Sequence, residues 1–108
     1  MTQNSVPTSV VALVDDLMDR SKVSAAVPAV RFVRTADACT DADVVIVDLA
    51  RHASAIATVR AHAPATRIVA FGAHVDDAAF ALARADGADA TLARSLFFRA
   101  PAAVIART

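Results

Sequence analysis

Four places in the chain set charged or polar groups directly after an apolar run. Asp15 and Asp16 follow residues 10–14, and Asp48 follows residues 44–47. Gly72, Ala73 and His74 follow residues 68–71, and Arg94 and Ser95 follow residues 90–93. If these runs end on one rim, three carboxylates, an imidazole and a guanidinium converge there. Carboxylates that close repel one another, and at neutral pH one takes up a proton unless a cation offsets them. Mg²⁺ is the natural counter-charge, because it takes oxygen ligands and keeps several waters. Arg94 offsets part of the charge, and its planar fork suits phosphoryl oxygens. Carboxylates, a divalent ion and one fixed cation are what phosphoryl transfer to an aspartate requires.

The elements that must hold these groups can be read from the same runs. Residues 10–14, 44–47 and 68–71 are apolar at every position and rich in β-branched side chains. Continuous runs of this kind fit strands buried on both faces, as in a parallel sheet covered by helices. Residues 30–33 and 90–93 make two weaker strands. Helical segments are expected at 17–26, 54–62, 76–86 and 96–107, with Pro101 marking a first turn in the last. Residues 35–42 form a short helix or a loop. Asp76 and Asp77 suit the positive end of a helix, and Gly87 suits its left-handed cap. Strands alternating with helices imply helical crossovers and a doubly wound sheet. In such sheets the site lies outside the carboxyl ends of the strands.

Composition narrows the function classes. The chain has 108 residues, 56% of them apolar, which suits one domain with a core and excludes a disordered chain. Eleven basic residues balance eleven acidic ones, so no nucleic-acid partner is implied. Every acid is Asp, and Lys22 is the one lysine. A single cysteine, Cys39, makes no internal disulfide. The N-terminal run lacks a basic segment, and five apolar residues at 10–14 fall short of the roughly 20 that a membrane span needs. A cytoplasmic protein with no membrane partner is the expectation. Residues 1–8 read as a flexible tail and residues 9–108 as the domain.

The segments VALVDDLMDR, VVIVDLA and GADATLARSLF resemble the acidic-pair, phospho-acceptor and lysine-bearing segments of bacterial response-regulator receiver domains. The resemblance runs from Val10 onward in the right order. It implies a flavodoxin-like three-layer α/β sandwich with a five-stranded parallel sheet in the order 2-1-3-4-5. It also implies Asp48 as phospho-acceptor, and Mg²⁺ held by Asp15, Asp16, Asp48 and the backbone carbonyl of Ala50. Arg94 stands where the family has its lysine, and Gly72, Ala73 and His74 stand on the pocket rim. The implied partners are a histidine kinase or another phosphodonor, a downstream protein, and a second copy through the last two helices.

The departures are specific. Gly72 replaces the family's Ser or Thr, Arg94-Ser95 replaces Lys-Pro, and Thr91 replaces an aromatic residue. The interval from Asp16 to Asp48 is short, which trims strand two and its helix. These features describe a divergent, stand-alone receiver-like signalling domain, a phospho-acceptor or binding domain rather than a turnover enzyme. The alternative is a pseudo-receiver that is never phosphorylated and serves as an interaction or dimerisation module. A small metal-dependent hydrolase is a weaker third reading. Each residue also has a plainer use. Asp15 and Asp16 can cap a helix, Arg94 can be the counter-ion of Asp48, and His74 can cap the next helix. His52 and His62 read as solvated, Cys39 as a small buried apolar residue, and Arg84, Arg99 and Arg107 as a basic edge.

Overall fold

The structure, a computed structural model, describes residues 9–106; the expected tail at 1–8 and Arg107 lie outside the described residues. The elements run β1 (Val10–Leu13), α1 (Leu17–Ala26), β2 (Arg31–Phe32), a 3₁₀ turn (Ala36–Cys39), β3 (Val44–Asp48), α2 (Leu49–His52), α3 (Ala55–His62), β4 (Arg67–Gly72), α4 (Asp77–Asp86), β5 (Ala90–Ala93), α5 (Arg94–Arg99) and α6 (Pro101–Ala106). The five strands form one parallel sheet in the order β2-β1-β3-β4-β5. This is the expected 2-1-3-4-5 topology.

The apolar runs are continuous because both faces of the sheet are covered. Alternate strand residues point to opposite faces. Val11, Leu13, Val45, Val47, Ile68 and Ala70 face one way and pack with Ile56 and Val59 of α3 and Ala83 of α4. Val10, Ala12, Val44, Ile46, Val69 and Phe71 face the other way and pack with Val23 of α1, Phe97 of α5 and Ile105 of α6. The result is a three-layer sandwich with two half-cores.

Three local details sharpen the sequence reading. The expected helix over 96–107 is two short helices, because the ring of Pro101 disfavours helical backbone at the residue before it. Ala100 accordingly leaves the helical region, with φ −154° and ψ 70°. The chain after β3 turns into α2 immediately, since the Asp48 carboxylate accepts from the Ala50 amide and caps that turn. Strand β2 is two residues long and is followed by the 3₁₀ turn, which agrees with the short interval between Asp16 and Asp48.

Arg60 of α3 holds the far end of the sheet. It donates to the carbonyls of Pro64 and Thr66 at 2.8 Å each and to that of Gly87 at 2.9 Å. It also pairs with Asp89 at 2.7 Å. Gly87 closes α4 with φ 119°, and an added Cβ there would lie 2.7 Å from the Arg60 Cγ. The left-handed cap and the approach of Arg60 both require glycine.

Candidate functional site

The strand register aligns the carboxyl ends. Asp48 lies opposite Phe71, and Gly72 opposite Ala93, which precedes Arg94. A cavity of about 530 Å³ opens over these ends, lined by Asp15, Asp16, Asp19, Asp48, Ala50, Arg51, Gly72, Ala73 and Arg94. Residues remote in sequence thus meet at one acidic depression. His74 does not line it; it is exposed on the loop before α4.

Each carboxylate has a local task. Asp16 caps α1, its Oδ1 accepting from the Asp19 amide at 2.9 Å. Asp15 Oδ1 lies 3.0 Å from His52 Nε2, and that contact holds the Asp15 carboxyl below its ordinary value. His52 is therefore a partly buried partner of Asp15, not the solvated group expected. Asp48 is 6% exposed. Burial pushes its carboxyl up, opposed by the Ala50 amide and then by the field of Arg94.

Arg94 departs most from expectation. Its two terminal nitrogens bind Asp19, at 2.9 Å to Oδ2 and 2.7 Å to Oδ1. Its counter-ion is thus Asp19 rather than Asp48. The pairing raises the guanidinium's hold on its proton further. The guanidinium also lies over Phe71 and Phe98, 5.5 and 5.3 Å from the ring centroids. Phe71 stacks on Phe97 at 5.0 Å, and Phe98 meets both rings edge-on. Lys22 sits 5.4 Å from the Phe98 centroid on the α1 side. Asp19, Arg94 and three phenylalanines therefore tie α1, β4 and α5 together.

Asp19 lies within α1 and follows no strand, so the pattern of strand ends does not point to it. It shares the buried side of α1 with Val23, four residues on. A carboxylate on the core-facing stripe needs a cation nearby, and that was the available signal.

Each carboxylate of the depression already has a partner within the chain. Among the described residues no group of three or more His, Cys or Asp is placed to hold a metal. Asp15 is engaged by His52, Asp16 and Asp48 cap helices, and Asp19 is taken by Arg94. At Gly72 an added Cβ would meet Leu49 Cδ1 at 3.3 Å and Phe80 Cε1 at 3.4 Å, so glycine admits these neighbours closely. Thr91 accepts from Arg84 at 2.8 Å. No helix among the described residues is long and apolar enough to cross a membrane.

No family model matches the chain, and no curated protein matches it. Solved structures do. A response regulator receiver domain protein from Clostridium thermocellum superposes with a TM-score of 0.74 at 15% identity, covering 89% of each chain. The BeF₃-activated DrrB receiver domain gives 0.74 at 18% identity, over 90% of this chain and 93% of that one. A response regulator from Burkholderia pseudomallei, with a phosphorylated aspartic acid, calcium ion and citrate, gives 0.68 at 22% identity. This chain is matched over 79% of its length there and spans 58% of that protein. Sheet order, layer arrangement and these likenesses agree: the chain has the fold of the response-regulator receiver domain.

Proposed function

We propose that this domain is a receiver-fold signalling module that works by binding another protein, with Asp48 left unphosphorylated. The observation that carries this reading is the closed Arg94–Asp19 fork. The guanidinium that would receive phosphoryl oxygens already holds two carboxylate oxygens of its own chain. Asp48 is buried and capping α2, Gly72 offers no hydroxyl, and the carboxylates are committed elsewhere. The rim itself suits contact with a protein. Leu17 and Met18 follow β1, Val75 follows β4 and Leu96 follows β5, and all four are exposed large apolar side chains at the same end of the sheet. Magnesium and a phosphodonor have no part in this reading.

One observation favours the phospho-acceptor reading instead: Asp48 lines the cavity beside Gly72 and Ala73. A phosphoryl group there would compete with Asp19 for Arg94. Titration with Mg²⁺ and beryllofluoride, followed by amide chemical shifts, separates the two. The expected result is an unchanged spectrum. Saturable shifts at Asp48 and through α5 would overturn the binding-module reading and establish the other.

A further inference from the structure

A second cavity opens on the same rim, lined by Asp15, Leu17, Arg20, Arg34 and His52, with a volume of about 400 Å³. Its walls come from the carboxyl ends of three adjacent strands. Asp15 and Leu17 follow β1, Arg34 follows β2, and His52 closes the short helix after β3. The chain runs from β1 out to β2 and back across to β3. The crossover from β1 to β2 through α1 lies on one face of the sheet, and that from β3 to β4 through α3 lies on the other. This is the reversal point, where open α/β sheets leave a crevice for ligands.

The charge in the crevice is basic. Two guanidiniums face one carboxylate, and His52 already engages that carboxylate at 3.0 Å. Arg20 is oriented in advance. Its Nε donates to the Val14 carbonyl at 2.7 Å, and its guanidinium carbon lies 5.0 Å from the Phe32 centroid. These contacts fix the plane of the fork through one nitrogen. The two terminal nitrogens have no hydrogen-bond partner among the described residues. Arg34 is exposed and makes no ion pair or side-chain hydrogen bond among the described residues. A pre-set fork with a free edge beside a second cation matches a tetrahedral oxyanion, which it holds by paired charge-assisted bonds. The volume falls at the small end of the range for small-molecule sites, and Leu17, 78% exposed, supplies an apolar wall.

We propose that this crevice binds a phosphate group, as the free ion or as the monoester of a small molecule. Arg20 and Arg34 hold the oxygens, and Leu17 packs against the carbon portion of an ester. The site adjoins the Asp48–Arg94 depression, sharing Asp15 with it, and does not depend on whether Asp48 is phosphorylated.

The test titrates the ¹⁵N-labelled protein with inorganic phosphate and, in parallel, with glycerol 3-phosphate at low ionic strength. Saturable shifts at Leu17, Arg20, Arg34 and His52 are expected. Arg34→Gln, which removes no protein contact, should weaken binding at least fivefold while leaving the spectrum folded. Tighter binding of the ester, with added shifts at Leu17, assigns the site to monoesters; equal binding assigns it to the free ion. The proposal fails if neither compound gives saturable shifts, if Arg34→Gln binds as the wild type does, or if potassium chloride at matched ionic strength reproduces the shifts. Phosphate shifts confined to Gly72, Ala73 and Arg94 would overturn it and would count against the reading of the Asp48 depression as well.

Discussion

Replacing Arg94 by Ala should damage the protein more than replacing its partner Asp19. The side chain of Asp19 is 4% exposed, while that of Arg94 is 44% exposed. Without Arg94, a buried carboxylate loses its cation. Breaking a fully buried pair costs about 3–5 kcal/mol, and the half-solvated position of Arg94 brings this to about 2–3 kcal/mol. Loss of the contacts over Phe71 and Phe98 adds about 0.5 kcal/mol each. In Asp19→Ala the guanidinium can turn to water, so the loss is about 1 kcal/mol, that of an ordinary hydrogen bond. Each kcal/mol lowers Tm by about 4–8 °C in a domain near this size. Arg94→Ala should therefore lose more than about 10 °C and Asp19→Ala less than half as much. The double variant should cost less than the two singles together, with a coupling of about 1–2 kcal/mol. Thermal and urea unfolding followed by far-ultraviolet circular dichroism are the assays, since the chain has no Trp or Tyr to report by fluorescence. Equal losses in the two single variants would refute the asymmetry, and a coupling near zero would remove the pair from any structural role.

Asp48→Asn should raise Tm at pH 7. Burial lifts the Asp48 carboxyl above its ordinary value, so its ionisation weakens the fold as pH rises through the folded-state value. The gain should vanish below pH 3.8, where the group is protonated in both states; thermal melts across that range check the sign. The Asp15 carboxyl is shifted the other way, so its contribution is present above pH 3.8 and is lost as pH falls through its lowered value. Asp15→Asn should accordingly flatten the acid limb of the stability profile. Gly87→Ala should cost more than about 1 kcal/mol, because the backbone there is left-handed and a Cβ meets Arg60; urea unfolding reads it. Burial pushes the Cys39 thiol up to about 11, so a thiol reagent at pH 8 should react with it only after denaturant is added.

The sheet was legible because its strands are buried on both faces. Runs such as Val44–Asp48 and Arg67–Gly72 carry β-branched side chains on both sides of the pleat, and no amphipathic helix reads that way. The ends of those runs located Asp16, Asp48 and Arg94 at one depression. Pairing within the depression was not legible, because it depends on which way each side chain leaves its element. Asp19 reads as one more polar residue on a helix. Only its position one turn before Val23 marks it as inward-facing, while Leu17 and Met18, its apolar neighbours, lie outside. His52 reads as the solvated end of a helix until α2 turns it back toward Asp15. Apart from its pairing with Asp89, Arg60 makes its contacts with carbonyls, which leave no trace in residue types.

Strand β2 has a bearing on self-association. Arg31–Phe32 pairs with β1 at only two positions, and the arginine is exposed. The outer margin there presents too few open amides and carbonyls to template an incoming strand, and a charged side chain stands beside them. Sheet extension into a continuous fibre needs two receptive margins, and the described residues supply at most one, along β5.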